Sequence, residues 1–286
     1  MSRQDARAIG AQIRMRLPQL TPLELRVVDT ITSREDLTEE TSIKQVANDA
    51  SVSEAMIVKI AKKLGFSGFR ALRGGLVEYK QSDVASLYSE ISPDDSSASI
   101  IQKVFRTSMQ ALEETISILD IEAFDRAADI MYRANNRDFY GIGGSAQIAR
   151  DVAHKFLRIG MRTNVYDDAH MMLMSASVLK PDDAVMAYSH SGATTAVLEA
   201  LKLARKQGAR TIVVTNYAES PMAEAADVVL CSTSQGSLLL GENAAARIAQ
   251  LNILDALFVS IAQRDFNSAE VNLGKTMSAV TAKREG

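Results

Sequence analysis

Between residues 138 and 232, five short apolar runs alternate with amphipathic segments. This alternation limits the possible folds more than anything else in the chain. The runs are DFYGIG (138–143), RTNVY (162–166), DAVMAYS (183–189), RTIVVTN (210–216) and DVVLCS (227–232). Between them lie SAQIARDVAHKFLRIG, AHMMLMSASVL, TTAVLEALKLARKQG and SPMAEAA, each with helical spacing of its apolar residues. Strands joined by helices at this spacing pair in parallel, and the helices then cover both faces of the sheet. The expectation is an α/β domain with a five-stranded parallel sheet, followed by two long helices near 242–263 and 268–283.

The chain ahead of this region is of another kind. Residues 1–80 read as helices throughout: ARAIGAQIRMRL, TPLELRVVDTITSR, SIKQVANDA, SEAMIVKIAKKLG and GFRALRGGLVEYKQ. Thr21 followed by Pro22 makes a good helix start, a cap with proline at the first helical position. Residues 81–99, QSDVASLYSEISPDDSSAS, are polar and serine-rich and read as a linker. The 286 residues thus divide into a helical domain (1–80), a linker (81–99) and an α/β domain with flanking helices (100–286). One cysteine, Cys231, builds neither a disulfide framework nor a thiolate zinc site. It reads as a small buried hydrophobe at a strand end. The charged N-terminus lacks a signal-peptide core, and no apolar run is expected to span a membrane. A soluble, cytoplasmic protein is expected.

The net charge of −3 conceals an imbalance. Residues 1–80 hold 13 Lys+Arg against 10 Asp+Glu, whereas the remainder holds 19 against 25. Within 56–80, Lys59, Lys62, Lys63, Arg70, Arg73 and Lys80 face only Glu78. Such a segment in an acidic chain points to a local polyanion contact, with a solvated helix face as the ordinary alternative.

The same segment holds a helix, a turn and a second helix, in SIKQVANDASVSEAMIVKIAKKLGF (42–66). Ser42 with Gln45 fits a capping box, and Ser53 caps the second helix. Ile43, Val46, Ala47, Val52, Ile57, Ile60 and Leu64 face inward. Glu54, Ala55, Met56, Lys59, Lys62 and Lys63 are left outward. In a helix-turn-helix motif the second helix enters the major groove, with small early residues near base edges and later lysines near phosphates. The expected DNA-binding residues are Ser42, Ser53, Glu54, Ala55, Met56, Lys59, Lys62, Lys63 and Arg70. With its continuation LGFSGFRALRGGL, this region resembles the N-terminal domain of the RpiR (MurR/RpiR) transcription-regulator family. Met56 stands where that family often has threonine, and Lys59 where arginine is common. Lysine lacks arginine's bidentate fork for guanine, so the family's operator does not carry over to this chain.

In the α/β region, AYSHSGAT (187–194) puts Ser189, Ser191, Gly192 and Thr194 where a strand ends and a helix begins. Ligands of open parallel sheets bind at the carboxyl ends of strands, and a helix N-terminus suits phosphate. For this loop alone, an ordinary turn with serine and threonine caps explains the residues equally well. A second loop, YGIGGSAQIA (140–149), also ends a strand and carries Gly141, Gly143 and Gly144 before Ser145. Its glycine spacing is not a dinucleotide fingerprint, so no cofactor is expected. Two hydroxyl-bearing loops on one sheet edge form a crevice for a small phosphorylated molecule. GIGGSAQIARDVAHKFLRIG and YSHSGATTAVLEAL resemble the SIS (sugar isomerase) domain over roughly 120–265. That resemblance implies a flavodoxin-like three-layer sandwich that binds phosphosugars.

The expected effector site is Gly143, Gly144, Ser145, Ser189, His190, Ser191, Gly192, Thr194 and Glu242. The three histidines, His154, His170 and His190, have no metal-ligand spacing, so no metal is expected. His154 reads as packed or supporting, and MMLM (171–174) as core or as an adaptable interface. SIS isomerases use a glutamate and a histidine on the sugar, which makes a phosphosugar isomerase or lyase the alternative reading, with Glu242 its acid–base group. A protein-interaction role for the N-terminal helices is a third reading. The combined resemblance implies a transcriptional regulator, a repressor of sugar-catabolism genes. Its partners would be double-stranded operator DNA and a phosphorylated sugar effector, as a homodimer or homotetramer and without a membrane.

Overall fold

The computed structural model describes residues 6–87, 91–234 and 243–281. Contacts divide the chain into two compact units, one of residues 1–118 with 233–246 and one of residues 119–232 with 247–286.

The first unit is helical: α1 (Ala6–Arg16), α2 (Pro22–Thr32), α3 (Ile43–Asp49), α4 (Glu54–Lys63), α5 (Phe69–Lys80) and α6 (Ser97–Ile118). Thr21 caps α2 by a capping box with Glu24, and Pro22 stands in the first turn as the sequence implied. Ile9, Ile13, Val27, Val28, Ile31, Val46, Ile57, Ile60, Leu64 and Leu72 form its core. Most of the inward residues expected of the helix-turn-helix are here, with Ile43 and Val52 at the edge.

The sequence division counted residues 100–118 with the second domain and 81–99 as linker. In the structure α6 packs on α1, Val84 is buried, and Ala85–Leu87 form a 3-10 turn. A buried polar cluster fastens α6. Glu114 is fully buried and pairs with Arg14 of α1. It also accepts from the Tyr79 hydroxyl of α5 at 2.6 Å and from the Gln110 amide at 3.1 Å. A buried carboxylate persists only when it is paired and hydrogen-bonded in this way.

The second unit contains α7 (Ile121–Arg133), β1 (Arg137–Tyr140), α8 (Gly144–Arg158), β2 (Asn164–Tyr166), α9 (Ala169–Val178) and β3 (Ala184–Tyr188). It continues with α10 (Thr195–Lys206), β4 (Arg210–Thr215), α11 (Pro221–Ala225), β5 (Val228–Cys231), the part of α12 (Asn243–Arg264) from Arg247 on, and α13 (Phe266–Thr281). All five expected strands are present, in the order β2-β1-β3-β4-β5 and all parallel. Alternate residues of each strand feed opposite layers. Ile212 and Val214 of β4 pack with Phe139, Phe156 and Leu257 on one side. Val213 packs with Tyr140, Val197 and Leu201 on the other. The result is a three-layer α/β/α sandwich. Helix α7, capped by Asp120, was not separated in the sequence pattern.

One expectation needs correcting. Helix α12 is long and apolar enough to cross a membrane by length and composition, contrary to the sequence estimate. Its buried residues Ala246, Ala249, Gln250, Ile253, Leu254, Leu257 and Ile261 recur at helical spacing, so one stripe faces the core.

Replacing Glu114 with alanine removes the carboxylate that the Arg14 guanidinium, the Tyr79 hydroxyl and the Gln110 amide share, and leaves a cavity in its place. We expect a loss of about 3 kcal/mol or more, read by calorimetry of the full chain as a lowered transition of the helical unit.

Candidate functional sites: a nucleic-acid face and an anion crevice

The nucleic-acid face is built by two helix caps and two matching helix stops. Ser42 Oγ accepts the Gln45 N–H at 3.2 Å, and Gln45 Oε1 accepts the Ser42 N–H at 2.8 Å. Ser53 Oγ accepts the Met56 N–H at 3.3 Å, which starts α4. Helix α3 ends with the Ser51 N–H on Asn48 O and the Val52 N–H on Ala47 O. Helix α4 ends in the same way, with Gly65 N–H on Lys62 O and Phe66 N–H on Ala61 O. This is the Schellman stop, whose penultimate residue adopts a left-handed conformation. Gly65 does so at φ +86°, and Phe66 then turns into the core. The LGF sequence is therefore a helix terminus in physical terms. Ser51 does the same at φ +54°, the one non-glycine residue with positive φ among the described residues.

Glu54, Ala55, Lys59, Lys62 and Arg70 are exposed, and Ser42 and Ser53 lie exposed at the two helix starts. Ala55, Val58, Lys59, Lys62 and Lys63 line one shallow, open groove. Val58 was absent from the expected set. Two expected residues are placed otherwise. Met56 is half-buried and packs against the helical core instead of pointing fully outward, because α4 rotates it towards that cluster. Lys63 is directed at Glu24 of α2, with 2.7 and 2.8 Å to the two carboxylate oxygens. Lys59 stands 3.8 Å from the same carboxylate and stays largely exposed. The Lys63 hydrogen bond and the Thr21 N–H hold the buried Glu24 carboxyl down at about 2, against an ordinary value of 4.5.

In the second unit the crevice follows from strand order. β1 lies beside β3, with β2 on its other flank, so the chain reverses its direction of winding between β1 and β3. At such a switch point the loops leaving the two strands diverge and open a crevice at their carboxyl ends. The loop after β1 leads through Gly143 into α8, and the loop after β3 leads through Thr194 into α10. Gly143 and Gly144 are exposed and Ser145 half-buried. A side chain on Gly143 would meet no atom within 4 Å, so open space lies above it.

The second loop is held in shape by its own hydroxyls. Ser189 is buried, accepts the Gly192 N–H at 3.1 Å, and lies 3.0 Å from Thr194 Oγ1 and 3.4 Å from Ser191 Oγ. Ser191 is exposed and Thr194 half-buried, so these two hydroxyls are the more accessible. The sequence reading gave Gly192 the task of letting backbone approach a ligand. The structure points its missing side chain into the protein. A Cβ there would stand 2.0 Å from Ser220 Oγ and 2.9 Å from Thr215 Oγ1, at φ +61°. Glycine is required by packing beneath the loop. His190 is half-buried and meets Tyr217 edge-on at 5.7 Å. Its carbonyl accepts from the Asn216 N–H and the Thr215 hydroxyl.

His154 is exposed on α8, not packed, and lines a shallow groove with Met277 and Val280 of α13. His170 is exposed at the start of α9, where Asp168 accepts its N–H. Glu242 lies outside the described residues. Burial pushes the Cys231 thiol up to about 12.

Sequence reasoning missed two features here. Asn216 Oδ1 accepts from Ser232 and, at 3.2 Å, from Gln250 of α12, and all three side chains are buried. This fixes α12 against the carboxyl ends of β4 and β5. One turn earlier, Arg247 reaches the head of α8, its Nη1 3.7 Å from where a Cβ on Gly144 would stand. Neither contact has a local sequence signal, since both join segments far apart in the chain.

A helix-turn-helix unit is thus joined in one chain to a five-stranded parallel α/β domain. The profile for the helix-turn-helix domain of the rpiR family matches residues 8–83, and that for the SIS domain matches residues 130–260. The chain is 44% identical over 272 residues to the HTH-type transcriptional regulator RpiR of Escherichia coli K12, covering 95% of this chain and 92% of the relative. It is 33% identical to an uncharacterized HTH-type transcriptional regulator of Caldanaerobacter subterraneus, with 96% and 97% covered. This chain belongs to the RpiR family of helix-turn-helix transcriptional regulators. Among solved structures, Vibrio vulnificus NanR complexed with ManNAc-6P superposes with a TM-score of 0.61 at 23% identity, a likeness of fold over 94% of this chain and 98% of that one. The sugar isomerase domain of an RpiR transcription factor from Sphaerobacter thermophilus gives 0.57 at 25% identity, covering 62% and 97%.

Substitutions separate the roles of these residues. The Lys63–Glu24 pair stabilises the fold above the ordinary glutamate range, and its contribution disappears as pH falls from 4.5 towards 2. Lys63→Ala is therefore expected to lower the midpoint of urea unfolding at pH 7 and to have no effect near pH 2. Lys62→Ala should leave stability unchanged and reduce the log–log salt slope of DNA binding by about 1. Gly192→Ala combines overpacking with a disfavoured φ, and urea titration should show a loss of about 2–4 kcal/mol.

Proposed function

We propose that this RpiR-family regulator is a repressor of sugar-catabolism genes whose operator affinity is controlled by a phosphorylated sugar bound in the SIS-domain crevice. One observation carries the reading. Two loops bearing Ser145, Ser191 and Thr194, with two helix N-termini, open at the switch point of a domain joined to a DNA-reading unit. Backbone N–H groups and hydroxyls at such a place suit a phosphate monoester. The sugar phosphate held by the NanR neighbour supports the same ligand class.

On the DNA side, α4 would enter the major groove with Glu54 and Ala55 leading, and Lys59, Lys62 and Arg70 near phosphates. Gly143, Gly144, Ser145, Ser191 and Thr194 would hold the phosphoryl group, with His190 nearby and Ser189 and Gly192 shaping the loop. Effector binding would shift the population between two placements of the DNA-reading unit. The protein would act in the cytoplasm as a homodimer or homotetramer. Exposed Ile101, Phe105 and Met109, four residues apart on α6, support self-association. As a regulator it would turn over no sugar.

Fluorescence anisotropy on DNA from upstream of its own gene and the neighbouring genes tests the reading. We expect salt-sensitive binding that a single phosphorylated sugar alters and its unphosphorylated counterpart does not. Absence of sequence-preferring binding, or phosphosugar turnover that Glu242→Gln abolishes, would favour the isomerase or lyase instead.

A further inference from the structure

We infer that Val58 is a specificity-determining residue of the DNA-reading face: its methyl groups take up the 5-methyl group of a thymine in the major groove. The inference rests on α4 being the helix that enters that groove, and it adds which chemical feature of a base the helix selects.

Val58 serves neither the core nor the charged surface. Met56, Ile57, Ile60 and Ala61 of α4 pack with the helical core, and Val58 is not part of that cluster. It is half-buried and lines the shallow groove with Ala55, Lys59, Lys62 and Lys63. Helix formation does not explain it either, because valine is a poorer helix former than alanine. A branched aliphatic side chain is therefore kept on an outward face where the fold gains nothing from it.

Helix geometry places it exactly enough to ask what it would meet. At 100° per residue, the residues outside the core follow one another around α4 as Glu54, Val58, Lys62, Ala55, Lys59 and Lys63. Lys63 pairs with Glu24 and Lys59 stands 3.8 Å from the same carboxylate, so that edge is turned to α2. Val58 lies on the edge away from α2. With Ala55, three residues earlier, it makes a small apolar patch beside the exposed Lys62.

The flanking charge and the apolar patch divide the work of binding. Lysines neutralise phosphates and bring the duplex close, but phosphates carry no direct sequence information. Base edges in the major groove present hydrogen-bond donors and acceptors, and thymine alone adds a methyl group. An alkyl side chain pressed against a guanine or cytosine edge would leave those polar atoms dehydrated and unpaired, which is costly. Against thymine it buries methyl on methyl. Valine in a helix holds essentially one χ1 rotamer, so its methyl groups are positioned by the backbone before DNA arrives.

The test begins with selection of binding sites by the full-length protein from a random duplex library. Each thymine of the selected site is then replaced by deoxyuridine, which removes only the 5-methyl group, and affinities are measured by anisotropy for wild type, Val58→Ala and Val58→Thr. At one thymine of each half-site we expect uracil to weaken wild type about 3- to 10-fold, the worth of burying one methyl group. The same change should leave Val58→Ala unaffected, and Val58→Thr, which keeps one methyl, should respond in between. Affinity for unselected DNA and its salt slope should be the same for all three proteins. The melting temperature of Val58→Ala should equal or exceed that of wild type. If no thymine responds in wild type, or the responding one costs Val58→Ala just as much, this assignment is overturned while the DNA-binding reading stands. A lowered melting temperature with equal loss on selected and unselected DNA would make Val58 a packing residue and also overturn it. If folded wild type selects no sequence, the DNA-binding reading fails, and this assignment with it.

Discussion

The parallel pairing of β1 with β3 is the constraint on which the second unit depends. Arg137 to Tyr140 lie in register with Ala184 to Ala187, so both strands end at the same level of the sheet. Every residue of β3 is buried, which fixes that register from both faces. Because the chain winds outward to β2 and then returns to β3, the two loops diverge above a gap. The small residues at 143–145 and 189–194 come to one edge for that reason, though they lie far apart in sequence.

The helical unit is determined in the same manner at shorter range. Two helices end in identical hydrogen-bonded stops, and the turn between them is set by three residues, 50 to 52. With both caps satisfied by Ser42 and Ser53, the direction of α4 is determined and its exposed edge is presented to solvent. Glu24 then distinguishes the lysines of α4 from one another. The one nearest the carboxylate holds α2 to α4, while Lys62, a residue away on the helix, points elsewhere. Three lysines that look equivalent in sequence thus divide between fold and surface.

The parts legible in the sequence were those governed by local spacing. Strands appeared because residues such as 184–188 and 211–215 are buried on both faces and form unbroken apolar runs. Caps at Thr21, Ser42 and Ser53 appeared because a cap and its partner lie three residues apart. What escaped depends on residues distant along the chain. Lys63 finds Glu24 across 39 residues, Gln250 finds Asn216 across 34, and Gly192 is compelled by Ser220, which no local pattern announces. Helix α6 was grouped by its position after a polar stretch, whereas buried Glu114 ties it to Arg14, 100 residues earlier. For the candidate site, sequence pointed to the two loops at the ends of their strands. It could not say which hydroxyl is accessible and which is used to shape the loop, since that requires knowing that Ser189 is buried and Ser191 is not.

The central claim is that the crevice and the DNA-reading face are coupled. Coupling is reciprocal for binding free energies: an effector that changes operator affinity by some factor must have its own affinity changed by the same factor when operator is present. The most direct measurement is the dissociation constant of the responding phosphosugar, determined calorimetrically for the full-length protein with and without saturating operator DNA. The account predicts two different constants whose ratio equals the ratio of operator affinities measured with and without the sugar. Equal constants would show that the crevice and the helix-turn-helix act independently, and would contradict it.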